Sequence, residues 1–281
     1  MKNSENAIEI TETVVSQDTT VDEVQSNRII AFFDGEDSSK ITLKEATIAN
    51  LIVGPIALIL YFALEYQYFM ILRSHYYFHA LLTFICFVIV PCIYLLIFQL
   101  LTGKAKYFFV ATKKGLTSRK IGGSLLQGLI MHAGLFYPWV LLSQKYMPGV
   151  ADLHYFLPDR IDWFWQLFFV ALNVMMFEFY SKAFIQLQFS EAQGSLNLFN
   201  NRIVIKGGKS LGFILQFLVW MGGHGQEFTW LPNFIGLANS IFFILVSGIL
   251  TGITVYRTEN IFGVTLGHIL LNVFITVTYA N

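Results

Sequence analysis

The chain has 281 residues, of which 55% are hydrophobic, 13% are charged and 28 are phenylalanine, with a mean hydropathy of +0.59. A water-soluble core of this size cannot bury so much apolar surface, and charge stands at about half its usual globular share. These values exclude a soluble enzyme, a disordered regulator and an extracellular disulfide scaffold. The net charge of zero conceals a segregation, because residues 1–45 carry −6 and the remainder carries +6. No basic helix or stripe stands clear of the apolar runs, so no nucleic-acid partner is expected.

Residues 1–45 are rich in Glu, Asp, Ser and Thr and hold no positively charged n-region followed by an apolar core. They predict an acidic, largely disordered cytosolic tail rather than a cleaved signal peptide. From Ala46 onward, apolar runs recur at about 46–66, 77–102, 123–142, 161–189, 209–228, 234–256 and 260–279. Each is near the ~20 residues that a bilayer requires. In lipid such runs must be helices, because no water is present to satisfy an open strand edge. The predicted fold is therefore all-α, a polytopic transmembrane helical bundle over residues 46–281 with about seven spans, six to eight being the range. The run at 161–189 is long for one perpendicular span and should tilt or extend past the interface. Cys86 and Cys92 are six positions apart, which places them on different faces of a helix as inert packing residues. His75 and His79 have the i, i+4 spacing of metal ligands. They lie among Tyr76, Tyr77 and Phe78 at a span boundary, where an interfacial aromatic belt is the better reading.

Lys and Arg set the predicted orientation. Lys104, Lys106, Lys113, Lys114, Arg119 and Lys120 crowd the loop 103–122. Arg202, Lys206 and Lys209 fall in or beside the loop 190–208, and Arg257 precedes the last run. The positive-inside rule then makes this face cytosolic together with the amino terminus. The expected location is the cell (inner) membrane of a prokaryote.

Ionisable groups inside a span are costly, and each one points to function by default. They are Glu178, Lys182, His224 and His268, with His132 in the third run and Asn173, Gln216 and Asn272 as neutral companions. At about 1.5 Å per residue, Glu178, His224, His268 and Asn272 all lie roughly 12–22 Å from the cytosolic end. His268 and Asn272 share one helix face by their i, i+4 spacing. His132 is expected to make one interhelical hydrogen bond. A carboxylate beside an imidazole can deprotonate a water for peptide hydrolysis. A second His with an Asn one turn away can donate to a developing oxyanion. The same groups could instead hold Zn²⁺, relay protons in a transporter, or serve as structural polar packing.

Three segments carry a resemblance to a known family. They are Phe177-Glu178-Phe179-Tyr180-Ser181-Lys182, Trp220-Met221-Gly222-Gly223-His224 and His268-Ile269-Leu270-Leu271-Asn272. In order and spacing they resemble the EExxxR, FxxxH and HxxxN/D motifs of the CPBP family, the CAAX prenyl proteases and bacteriocin-processing intramembrane endopeptidases. The stretch Tyr256–Phe262 before the third motif is similar to the family's lead-in, and the resemblance covers roughly residues 160–281. It implies endoproteolysis of a membrane-anchored or prenylated peptide, in contact with membrane lipid and without a cofactor. Carried over by position, His224 would activate the water, and His268 with Asn272 would stabilise the oxyanion. Phe177 stands where the family has its first Glu, Lys182 replaces Arg, and Trp220 replaces Phe. Trp220 keeps an aromatic wall, and Lys182 keeps the charge without the planar fork. Phe177 cannot accept a proton, so Glu178 becomes the candidate base. Adjacent helical residues point about 100° apart, so Glu178 can serve only where the helix is rotated or locally unwound. Otherwise it pairs with Lys182 at i, i+4, and the runner-up function is a catalytically impaired member with a binding or regulatory role. One carboxylate already paired with Lys182, beside two histidines, predicts no tightly bound zinc.

Overall fold

Apolar runs with few charges fold here as long helices, in a computed structural model that describes residues 42–74, 81–102, 110–147, 149–151, 160–192, 194–198, 203–206, 208–225 and 227–279. The acidic tail before residue 42, His75, His79, Lys104, Lys106 and Arg202 lie outside the described residues. Helix α1 (Leu43–Ser74) opens with a reciprocal capping box. The Thr42 amide donates to Glu45 Oε2 at 3.0 Å, and the Glu45 amide donates to Thr42 Oγ1 at 3.2 Å. Two of the first-turn amides that no helical carbonyl can reach are thereby satisfied. The last residues assigned to the acidic tail thus form the first turn of α1.

Helix α2 spans residues 81–102, α3 is Ser118–Tyr146 and α4 spans residues 160–191. Each contains a π-helical stretch, at Ile85–Ile89, His132–Phe136 and Phe179–Leu187 respectively. Strands β1 (Ser195–Leu198) and β2 (Ile203–Lys206) pair antiparallel, with Leu196 opposite Ile205. This ribbon is the one departure from an all-α chain among the described residues, and it occupies the loop predicted at 190–208. Helix α5 (Lys209–Gly223) is followed by the single turns α6 (Glu227–Trp230) and α7 (Pro232–Ile235). The long α8 (Leu237–Thr258) and α9 (Phe262–Thr278) complete the bundle.

Among the described residues, four stretches are long and apolar enough to cross a membrane, namely Leu43–Leu64, Ser118–Tyr146, Leu167–Ser190 and Leu237–Thr258. Leu81–Tyr94 and Phe262–Thr278 are apolar but shorter. The run expected at 209–228 departs from a full span, because its helix has 15 residues and stops at Gly223. Gly222 and Gly223 weaken the helix there, and His224 closes it as the C-cap with its amide on the Trp220 carbonyl at 3.1 Å.

Small residues decide which helices meet. Gly128 and Ser124 on α3 face Gly263 and Gly267 on α9, and a Cβ at Gly128 would overlap the Gly263 carbonyl. The two backbones therefore approach as closely as lipid-buried helices do when small residues recur every fourth position. A larger apolar cluster joins α1, α2, α4 and α5 through Val53, Tyr61, Phe87, Phe177, Tyr180 and Trp220. Cys86 is buried in that cluster, Cys92 is exposed, and both are free thiols.

The turn between α8 and α9 clamps one end of the bundle. Asn260 is fully buried and its Nδ2 donates to the Gly115 carbonyl at 3.1 Å. Glu259 adopts a left-handed backbone (φ 57°) as the C-cap of α8, a conformation that usually selects glycine. Its side chain explains the choice. Lys120 reaches one carboxylate oxygen at 2.5 Å, and Lys209 the other at 3.0 Å. Burial opposes ionisation of Glu259, but hydrogen bonds and charge from these two ammonium groups outweigh it and hold the carboxyl below its ordinary value. The start of α3, the start of α5 and the end of α8 are thus tied together.

Candidate functional site

Helix α4 brings the first polar groups inside. Glu178 is the last residue of its α-helical part, and the nine-residue π stretch begins at Phe179. A π turn takes about one more residue than an α turn, so side chains beyond Glu178 rotate away from their α-helical positions. Glu178 and Lys182 are directed to different partners. No ion pair forms between them, contrary to the i, i+4 pairing expected from sequence. Glu178 Oε1 instead accepts a hydrogen bond from His268 Nδ1 of α9 at 2.8 Å. Lys182 donates to Gln216 Oε1 of α5, and its ammonium lies 4.4 Å above the Trp220 ring. Glu178 and Lys182 are both 0% exposed. The second carboxylate oxygen of Glu178, Oε2, is buried with no hydrogen-bond partner.

Helix α5 supplies the second wall. His224 Nδ1 donates to the Trp220 carbonyl at 2.8 Å, a bond that fixes the tautomer and leaves the Nε2 lone pair unused. Its ring stacks on Trp220 with centroids 4.1 Å apart, and Trp220 is itself held by its Nε1 on the Ile244 carbonyl at 3.1 Å. Phe177 meets His224 edge-on at 5.3 Å. A Cβ at Gly223 would strike the Phe177 ring, so glycine is what admits Phe177 beside His224. The position that the resemblance assigns to a carboxylate is therefore filled by an apolar ring.

Helix α9 completes the group. The His268 and His224 rings lie 6.2 Å apart and nearly parallel, at 22°. His132 stacks on the opposite side of His268 at 6.0 Å and 14°. The expectation for His132 needs correction. Its Nδ1 bonds the Gly128 carbonyl of its own helix at 2.9 Å rather than another helix. What brings His132 to the site is Gly267, where a Cβ would overlap the His132 ring. A glycine beside a motif histidine was the sequence signal that could have drawn His132 in. Asn272 lies one turn beyond His268 and is half-buried. It makes no side-chain hydrogen bond to a described residue, and only its carbonyl is used, by Thr276 Oγ1 at 2.7 Å.

The structure thus gathers Glu178, His224, His268, Phe177, Lys182 and Trp220, adds His132 and Gln216, and leaves Asn272 at the edge. Among the described residues no three His, Cys, Asp or Glu side chains converge as a metal-binding group. His224 and His268 each commit their Nδ1, to the Trp220 carbonyl and to Glu178 Oε1 respectively. Chemically, the arrangement offers one anchored carboxylate with a free oxygen, next to an imidazole with a free acceptor nitrogen. No known protein family, characterised protein or solved structure matches the chain.

Proposed function

We propose that the chain is an intramembrane endopeptidase of the CPBP type. In this reading it has about seven spans, a cytosolic amino terminus and a place in the cell membrane of a prokaryote. Its substrate is a membrane-anchored or prenylated peptide. One observation carries the reading. Glu178 is fixed through one oxygen by His268 at 2.8 Å, while its other oxygen is buried and unpaired. That oxygen is the general base, and the imidazole of His268 sets its direction. His224, with Nδ1 committed to the backbone, holds the attacking water through Nε2. Asn272 and His268 stabilise the developing oxyanion, as the resemblance assigns them. No metal or cofactor takes part in the reading.

A second reading has its own observation. Phe177 packs its ring edge on His224 at 5.3 Å, where the resembled motif has a carboxylate. In that reading the protein is a catalytically impaired relative that binds or regulates membrane-anchored partners. Cleavage of a prenylated or transmembrane reporter in liposomes separates the two, using wild type, Glu178→Gln and Phe177→Glu. The peptidase reading expects wild-type cleavage that falls ~10²–10⁴-fold in Glu178→Gln. Cleavage that survives Glu178→Gln would remove Glu178 from the mechanism. An inactive wild type that gains activity as Phe177→Glu would establish the impaired relative.

A further inference from the structure

Between α4, α5 and α8 a file of buried polar side chains leads to Glu178, and the peptidase chemistry uses Glu178 alone among them. It starts at the charged end of the bundle, where Lys209 bonds Glu259 at 3.0 Å with side chains 35% and 16% exposed and lies 4.4 Å over the Tyr256 ring. One turn inward, Gln186 Nε2 donates to the Gly252 carbonyl at 2.7 Å. Next come Gln216, whose Nε2 donates to the Gly248 carbonyl at 3.3 Å, and Lys182, which donates to Gln216 Oε1. Lys182 is followed along α4 by Glu178, four positions back toward the amino terminus.

Gln186, Gln216 and Lys182 are each 0% exposed. In a helix packed only for stability these positions would be apolar, because a buried amide or ammonium is costly in a membrane-spanning segment. Two glycines make the room: a Cβ at Gly252 would overlap Gln216 Nε2, and one at Gly248 would come within 2.5 Å of the Trp220 ring. The file is also unsaturated. Gln186 Oε1 and Glu178 Oε2 are buried acceptors without a partner, and buried polar atoms are normally matched by protein or by water. We infer that this file is a water-bearing route by which protons pass between the Lys120–Lys209–Glu259 face and Glu178. The route is independent of whether the site cleaves peptides.

The route is tested by the reaction of buried thiols with Ag⁺ in nitrate buffer, in proteoliposomes of protein whose Cys86 and Cys92 have been replaced by Ala. Gln216→Cys places a thiol inside the route, and Ala183→Cys places one on the same span of α4 but in an apolar cluster. Gln186→Leu, added to Gln216→Cys, plugs the route between that thiol and the charged end. Ag⁺ supplied to the face bearing Lys209 should modify Gln216→Cys at least tenfold faster than Ala183→Cys. Adding Gln186→Leu should slow the modification at least tenfold. Equal rates at Gln216→Cys and Ala183→Cys, or a rate untouched by Gln186→Leu, would overturn the proposal. Should Gln216→Cys not fold, Gln186→Cys takes its place, and a rate no faster than that of Ala183→Cys overturns the proposal equally.

Discussion

Substituting Gly263 by alanine tests whether the α3–α9 contact sets the geometry of the site. A Cβ at Gly263 would overlap the Ser124 carbonyl, and one at Gly128 would overlap the Gly263 carbonyl. Both collisions are with backbone, so no rotamer change relieves them and the helices must part. Overpacking of this kind costs about 1–3 kcal/mol. Alanine returns up to ~1 kcal/mol through its better helix propensity. The net expectation is a loss of up to about 2 kcal/mol for Gly263→Ala. Gly122, also on α3, has nothing within 4 Å of its would-be Cβ, so Gly122→Ala should gain ~0.5–1 kcal/mol from propensity alone. Parting α3 from α9 also moves His268 relative to Glu178. A misplacement on the order of 1 Å can cost ~10²-fold in rate. Reversible unfolding in mixed micelles, followed by tryptophan fluorescence, measures the first effect, and reporter cleavage measures the second. If Gly263→Ala proved as stable as Gly122→Ala, the close approach would not be holding these helices.

Three further outcomes follow from the same contacts. Glu259 has its carboxyl held below the ordinary value in the folded chain, so its ionisation stabilises the fold above the ordinary carboxylate range. That contribution should be lost as pH falls through the lowered folded value. Glu259→Gln should therefore be less stable than wild type near neutrality by about 1 kcal/mol or less, with the gap closing in acid. A gap that persisted unchanged into acid would refute the ionic clamp. Asn260→Ala removes the fully buried donor to Gly115 and the Oδ1 acceptor that meets the Phe262 amide at 3.3 Å. It should cost about 1–3 kcal/mol in unfolding free energy, and a neutral result would show that the turn holds without it. Trp220→Phe keeps an aromatic face but loses the hydrogen bond to the Ile244 carbonyl. It should lower the midpoint of unfolding modestly while Glu178-dependent cleavage remains within about tenfold, whereas Trp220→Leu should also weaken the hold on Lys182.

Depth along a helix could be read from the chain, whereas rotation about the helix axis could not. Counting residues places Glu178, His224, His268 and Asn272 in one layer; Glu178 meets His268 and the His224 and His268 rings lie 6.2 Å apart, while Asn272 stays at the edge. Periodicity assumes 3.6 residues per turn, and the nine π-helical residues after Glu178 break that assumption. The expected Glu178–Lys182 pair does not form, since Glu178 meets His268 while Lys182 turns to Gln216. Nothing in the residue types Phe179-Tyr180-Ser181-Lys182 marks a π stretch, because it arises from packing against α5 and α8 rather than from local propensity. The ribbon of β1 and β2 is illegible in the sequence on different grounds. Its strands have four residues each, too short for alternation to stand out from the surrounding loop. His132 was underrated because a lone histidine in an apolar run ordinarily satisfies itself, as this one does on Gly128. Its place in the site depends on Gly267 across the interface, a pairing invisible to any single-helix pattern. Glycines at 128, 223, 252, 263 and 267 each admit a specific neighbour. In a chain with 21 glycines, their count alone cannot tell which of them do so. The site is therefore specified twice, once by its polar residues and once by the absent side chains opposite them, and a linear reading recovers only the first.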